Sequence, residues 1–262
     1  MTPKPMLPEP IHKEVMRARS VLDHPGIAVR LTSLLGGPLE KGMSKLPASA
    51  RAKISKATTL ALEKASWAAL QTLDDEPGRG ASSITHKLMA GASGAIGGAA
   101  GLAGLSIELP ISTVVMVRSI ADIARSEGES LSDPALGPEI MAVFALGGPS
   151  TQDDAAETGY YAVRNVLART ISEATAAIAA KGLSATEGPT LARLIAVIAA
   201  RFEIQVTQKA AAQLVPVIGG IAGAAINTLF IDHFQDMARG HFIIRRLERE
   251  HGAEAVRNAY TA

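Results

Sequence analysis

Two long runs of uncharged residues constrain this 262-residue chain more than any other feature of its sequence. The first covers residues 88–107 and the second residues 210–231, and both consist mainly of alanine and glycine with some larger apolar residues. About 20 residues are enough to cross a bilayer as a helix, so each run is long enough to span one. Small residues are also found where helices pack closely, in membranes and in water-soluble bundles alike. Contact with a membrane is therefore the central question that the sequence raises.

Composition excludes several classes of function. The formal net charge is only +1, so no overall positive field draws the chain to nucleic acid, and we expect no nucleic-acid partner. Cysteine is absent, which excludes disulfides, thiolate metal sites and cysteine nucleophiles. Hydrophobic residues make up 47% of the chain, enough for a substantial core in one or two domains.

Hydrophobic periodicity predicts an all-α protein, because alternating strand-like patterns are short and scarce. Residues 27–47 are broken by glycine and proline, Pro110 marks a boundary between two helices, and Gly252 ends the last helix. The predicted helices cover residues 11–22, 48–73, 82–107, 111–126, a stretch from about 151, 190–213 and 227–250. We predict a helical bundle in which the two Gly/Ala-rich apolar segments pack centrally. Residues 1–10 contain four prolines and are predicted to be a disordered lead, not a signal peptide, followed by one domain over residues 11–262.

Glycines within the two runs recur at the spacing of a helix-packing motif. Each glycine costs about 1 kcal/mol relative to alanine inside a helix, so their number implies a gain from close packing. A small-xxx-small stripe lets a neighbouring backbone approach, and we interpret these stripes as glycine zippers. The alternative is a buried hairpin in a water-soluble bundle. The candidate packing residues are Gly94, Gly97, Gly98, Gly101, Gly219 and Gly223.

A basic stretch precedes the first run. Residues 41–64 contain six lysines and arginines against the single acid Glu63, and Trp67, the only tryptophan, follows. A basic helix with an aromatic edge suits the surface of an anionic bilayer. Lys53, Lys56 and Trp67 are therefore the candidate contacts with membrane lipid. The same pattern also fits the solvated face of a helix whose other face is core.

Several polar residues fall among apolar ones and are candidates for buried positions. Glu108 lies beside the first run, while Arg118 and Asp122 are spaced i, i+4 with Arg125 close behind, which indicates an ion-pair network between helices. A proton relay is the alternative. The last predicted helix adds Asn227, His233, Asp236 and His241, with His241 on the apolar stripe.

No catalytic or cofactor-binding motif occurs in the sequence. Neither a nucleophile elbow, a phosphate loop nor a dinucleotide fingerprint is present. The eight-residue gap between His233 and His241 matches no zinc motif, so we expect neither metal nor cofactor. We interpret Arg245, Arg246 and Arg249, interleaved with Glu248 and Glu250, as ordinary surface patterning.

The last predicted helix and an earlier block carry a family resemblance. The chain resembles the EcsC family over nearly its whole length, through Gly219–Asn227, Phe230, His233–Ala238, Gly240–Arg249, Glu108–Gly128 and Phe144–Gly148. The family takes its name from a protein encoded beside an ABC transporter. The resemblance implies a helical, membrane-associated protein, but it defines no catalytic residue.

We therefore expect a non-enzymatic protein that associates with anionic lipid on the inner face of the membrane. A transporter or secretion system is an expected partner class, and the oligomeric state is left open. One alternative is a soluble helical carrier of a lipid or acyl ligand, or an interaction scaffold. Another is a hydrolase that uses Asp236 and His241.

Overall fold

A computed structural model describes residues 7–23, 26–35, 43–44, 46–70, 101–148, 159–181, 188–213 and 220–262. These residues form helices and no strand, which confirms the predicted all-α bundle. A 3₁₀ turn, Val143–Ala145, follows the fifth helix. The α-helices are α1 Glu9–Leu22, α2 Ile27–Leu35, α3 Ala48–Leu70, α4 Gly101–Ser126, α5 Leu136–Ala142, α6 Gly159–Lys181, α7 Pro189–Gln213, α8 Gly220–His251 and α9 Ala253–Thr261.

Helix α8 is the centre of the described bundle. It packs against α1, α2, α4, α7 and α9, while α3 lies along α4 and also contacts α7. Its apolar side chains are buried along most of its length, from Ile226 to Leu247. A single hydrophobic cluster includes residues from all nine described helices. Burial on many sides explains why this helix has no clean polar face in the sequence.

The few aromatic residues are concentrated in two groups in the core. Phe144, Phe202, Phe230 and Phe234 form one group, with ring centroids 4.9–6.0 Å apart. All three tyrosines of the chain, at positions 160, 161 and 260, form the second. Tilted and edge-on ring pairs of this kind stabilise a core beyond the area they bury. The first group therefore joins the 3₁₀ turn, α7 and α8, and the second joins α6 and α9, although aromatic residues make up only 3% of the chain.

The predicted helix boundary at Pro110 is wrong. Helix α4 runs without interruption from Gly101 to Ser126, with Pro110 inside it. An internal proline removes one backbone hydrogen bond and costs about 3 kcal/mol in a helix. Its neighbour Leu109 is buried, and the hydroxyl of Thr113 donates to the Leu109 carbonyl at 2.6 Å. Packing of the turns on both sides of Pro110 offsets the cost.

Other helix ends differ from the predicted ones by a few residues or more. Helix α1 begins at Glu9, two residues before the predicted start, because a proline is tolerated in the first turn of a helix. Helix α2 forms within the stretch that glycine and proline break up, and α9 follows Gly252, where no helix is predicted. Gly252 does end α8, with a φ of 89°. The ends of α7 agree with the prediction to within one residue.

The predicted glycine stripes fall mostly outside the described residues. Gly94, Gly97, Gly98 and Gly219 lie outside them, while Gly101 begins α4 and Gly223 lies in the first turn of α8. Close packing at a glycine is instead seen at Gly240, where a Cβ would lie 2.5 Å from Cγ of Leu22. A single glycine of α8 therefore sets the approach of α1.

Candidate functional site

Helix α3 presents a basic face to solvent. Lys53, Lys56 and Lys64 are exposed, as is Arg51 in the first turn, while Ile54, Thr58, Ala61, Leu62 and Ala65 are buried on the opposite face. Within the described part of the chain none of these four cations has an ion pair or hydrogen bond. Trp67 follows Lys64 by one turn in the same helix, and its side chain lies outside the described residues. Among the described residues, this face carries three unpaired lysines against the exposed acid Glu63. Arg51 is exposed on the opposite side of the first turn, in line with Thr58 and Leu62.

Apolar side chains are exposed on the same pair of helices. Ile107 and Ile111, one turn apart on α4, are 71% and 52% exposed, and Leu60 of α3 is exposed as well. Arg118 continues the Ile107–Ile111 stripe at helical spacing and is half-buried. Because α3 packs along α4, the basic face and the exposed isoleucines belong to adjacent helices. We call these residues the α3–α4 surface: Lys53, Lys56, Leu60, Lys64, Ile107 and Ile111.

A buried ion pair lies between α4 and α7. The ammonium of Lys209 donates to Oε1 of Glu108 at 2.6 Å and to Oδ1 of Asn227 at 2.5 Å. The ring of Phe230 lies 5.0 Å from the Lys209 nitrogen. Three helices thus meet at one buried cation. The sequence predicts buried positions for Glu108 and Asn227 but not for Lys209.

Helical spacing in the sequence indicates that Lys209 lies on the apolar side of α7. Lys209 follows Phe202 by seven residues and Val206 by three, so helical spacing places it on their side of α7. Both of those side chains are buried. A lysine on an apolar stripe requires a partner, and Glu108 supplies the carboxylate.

The predicted pairing around Asp122 is partly different. Asp122 and Arg125 are buried and bonded to each other across one turn of α4. The structure shows Asp122 bonded to the guanidinium of Arg125, three residues later in the chain. Among the described residues it does not show a bond from Arg118, four residues before Asp122. This pair is therefore local to α4, whereas Lys209 and Glu108 join two helices.

His241 lies in the middle of a chain of hydrogen bonds. Its Nδ1 is 3.0 Å from the hydroxyl of Tyr160, and its Nε2 is 3.2 Å from Oε2 of Glu139. The other oxygen of Glu139 accepts from Arg245 at 2.6 Å. The chain connects α6, α8 and α5, and its members are buried except for the half-buried Arg245.

The protonation states along this chain follow from burial and charge. Burial alone would raise the pKa of Glu139, but the hydrogen bond from His241 and the charge of Arg245 lower it to about 2. Burial lowers the pKa of His241 and raises that of the Tyr160 hydroxyl. At neutral pH the imidazole is therefore neutral, and its Nε2–H donates to the carboxylate. Its Nδ1 therefore accepts a hydrogen bond from the hydroxyl of Tyr160, and that hydroxyl has no second proton to donate.

His233 is buried against a glycine turn. A Cβ at Gly147, which has a φ of 67°, would lie 2.4 Å from Cε1 of His233. Burial lowers the pKa of His233 to about 4, and the charge of Arg30 adds to this effect against the opposing charge of Asp236. The imidazole is therefore neutral in the folded protein and serves as a core residue.

The structure does not bring Asp236 and His241 into one catalytic pair. Asp236 is half-buried and accepts from Arg30 at 2.9 Å and from Arg239 at 3.2 Å. His241 has Tyr160 and Glu139 as its partners instead. Among the described residues, no group of three or more histidines, aspartates and glutamates is arranged to hold a metal ion.

The arginines at the end of α8 are not ordinary surface patterning, and that interpretation is wrong. Arg245 bonds to Glu129 at 3.0 Å and to Glu139, while Arg249 bonds to Glu129 as well. Arg246 bridges Glu14 of α1 and Glu127. The acidic partners lie 100 or more residues away in the chain, so spacing within α8 could not reveal them. These ion pairs tie α8 to α1, α5 and the segment after α4.

Neither apolar run appears as a membrane-spanning helix where the structure describes it. Among the described residues, no helix is both long enough and apolar enough to cross a bilayer. Residues 108–126 of α4 and 232–251 of α8, the charged parts of these helices, lie outside the two runs.

Comparison with known proteins adds one finding. The EcsC protein family matches residues 11–247, which extend from α1 to the last turns of α8. The chain belongs to the EcsC protein family. This confirms the resemblance, and the matched range includes Lys209, Glu108 and the hydrogen-bond chain at His241. No curated protein and no solved structure matches the chain.

Proposed function

We propose that this EcsC protein is a non-enzymatic protein that binds the inner face of a membrane through the α3–α4 surface. The observation that carries the proposal is the set of three exposed lysines on one face of α3, unpaired within the described part of the chain, together with the exposed Ile107 and Ile111 of the adjacent helix α4. Each basic residue near an anionic bilayer contributes about 1 kcal/mol, so the three lysines contribute about 3 kcal/mol to reversible binding. The isoleucines add apolar area that can enter the headgroup region.

The glycine-rich runs have a second role in this proposal. In the proposal, the runs insert shallowly after the electrostatic encounter with lipid. Residues 88–100 and 214–219 of these runs lie outside the described part of the chain. A transporter or secretion system on the same membrane is the proposed partner class, reached once the protein is bound.

Flotation with liposomes tests the proposal. Wild-type protein is mixed with neutral vesicles or with vesicles containing anionic phospholipid, at low and at high salt. We expect flotation with anionic vesicles and a loss of binding at high salt, because salt screens charge attraction. Binding that persists at high salt would show that apolar insertion contributes.

Charge reversal locates the surface. The double substitution of Lys53→Glu and Lys56→Glu is expected to weaken binding at least about 30-fold, because two favourable contributions of about 1 kcal/mol are removed. The matched control reverses Lys13 and Arg17, two exposed residues of α1, and changes the net charge by the same amount. Equal loss in both variants would mean that net charge alone acts. A wild type that floats with no vesicle would overturn the proposal.

A further inference from the structure

A cavity of about 370 Å³ lies on a different part of the bundle. It is formed by the end of α1, the residues after the 3₁₀ turn, the start of α6 and parts of α7 and α8. Small-molecule sites have volumes of about 300–1,000 Å³, so this cavity is at the lower end of that range. None of its lining residues comes from α3 or α4, which separates it from the α3–α4 surface.

One charged residue on the cavity wall has no partner. Arg201 of α7 lines the cavity and is half-buried, and within the described part of the chain it makes no ion pair or hydrogen bond. A guanidinium carries five donors and a permanent charge, so its partial removal from water is unfavourable without an acceptor. An anion in the cavity would supply that acceptor.

The other polar groups on the wall are already engaged. Asp23 accepts from Arg19 at 3.3 Å and from the hydroxyl of Tyr260 at 3.0 Å. The hydroxyl of Tyr160 donates a hydrogen bond to Nδ1 of His241. The free charge available to a ligand among the described lining residues is therefore the positive charge of Arg201.

The cavity wall also carries apolar side chains. Leu146, Val163 and Met237 line the same cavity, as does Val166, which is 58% exposed. A ligand that pairs with Arg201 can lay a short hydrocarbon body against these side chains. The volume is small for a phospholipid with two acyl chains.

We propose that this cavity binds a small amphipathic carboxylate, with its anionic group on Arg201 and its apolar body against Leu146, Val163 and Met237. This site is independent of the membrane proposal, because the two use different helices.

Calorimetric titration with octanoate tests the proposal. Octanol and octylammonium serve as neutral and cationic probes with a similar hydrocarbon body. We expect octanoate to bind the wild type more tightly than either. Tighter binding of octylammonium would assign the cavity to a cation at Asp23 and overturn the proposal, as would an absence of octanoate binding.

Three variants locate the bound molecule. Arg201→Gln is expected to weaken octanoate binding at least tenfold and to leave octanol binding unchanged. Val166→Trp adds a large side chain at an exposed position of the cavity wall and is expected to abolish binding of both. The control is Arg193→Gln, at an exposed arginine of the same helix, which is expected to bind octanoate like the wild type. Circular dichroism verifies that each variant is folded, and unchanged octanoate affinity in folded Arg201→Gln would refute the assignment.

Discussion

Lys209 of α7 donates a hydrogen bond to Glu108 of α4 at 2.6 Å, and both side chains are buried. The two residues are 101 positions apart in the chain, so the ion pair forms only when α4 and α7 pack together. Asn227 of α8 takes a second bond from the same ammonium. Burial removes both charges from water, and each depends on the other for compensation. Three helices therefore meet at this buried ion pair.

Removing one partner of this pair is expected to be much more damaging than removing both. Glu108→Ala leaves the Lys209 ammonium buried without its carboxylate and should lower the free energy of unfolding by about 3–5 kcal/mol. The double variant Glu108→Leu with Lys209→Met replaces both charges by apolar side chains, and it should be close to the wild type or more stable. Urea denaturation measures both. If the free energy of unfolding of Glu108→Ala is within about 1 kcal/mol of the wild-type value, water reaches the pair.

The arginines at the end of α8 offer a second comparison. Arg245 holds the carboxylates of Glu129 and Glu139, both buried. Arg245→Ala should therefore cost about 3 kcal/mol of unfolding free energy, because two buried charges lose a partner. Arg193→Ala removes an exposed pair with Glu173 and should leave stability nearly unchanged. Thermal and urea unfolding of the two variants compare an inter-helix ion pair with a solvated one. Equal losses would contradict an inter-helix role for Arg245.

The glycine turn after the 3₁₀ helix is expected to tolerate no side chain. Gly147 has a φ of 67°, and a Cβ there would lie 2.4 Å from Cε1 of His233 and 2.8 Å from Sδ of Met237. Backbone strain and overpacking together should cost Gly147→Ala about 2–5 kcal/mol. Gly159→Ala is the control, since no atom lies within 4 Å of its Cβ position. A soluble, wild-type-like Gly147→Ala protein would show that the turn adopts another conformation.

Acid should destabilise the protein through His233. Its pKa is about 4 in the folded state against 6.5 when exposed, so the unfolded chain binds more protons between these values. The contribution of neutral His233 to the free energy of unfolding is fully present above pH 6.5. It is lost as the pH falls towards 4, by as much as about 1.4 kcal/mol per pH unit. Glu139, with its lowered pKa of about 2, extends the loss below pH 4.5. His233→Gln should reduce the slope of the stability curve between pH 4 and 6.5, while buried His241, whose pKa is also lowered, keeps part of it.

The slope of the curve, rather than the absolute stability, tests this prediction. Urea unfolding of wild type and His233→Gln is measured at several pH values between 4 and 7. His12→Gln, at an exposed position of α1, is the control and should keep the wild-type slope. Parallel curves for wild type and His233→Gln would assign the pH dependence to other groups.

Local pattern determined much of the fold. Helical periodicity identified the all-α class and the ends of α7, and Gly252 marked the end of α8, because these depend on residues a few positions apart. The same pattern placed His241 on the apolar side of α8, where it is buried. Basic residues concentrated in one stretch predicted the exposed lysines of α3. Membrane binding through that helix is still a prediction.

Tertiary structure alone decided the partners of the buried charges and the continuity of α4 through Pro110. Glu108 is expected to need a cation. The sequence of α4 does not identify Lys209 as that cation, because the contact depends on the packing of helices that are distant in the chain. Likewise, spacing within α8 cannot distinguish a solvated arginine from one that reaches Glu129 or Glu14. A local sequence fixes which side of a helix is apolar, whereas the free energy of a buried charge or an internal proline depends on what packs against it.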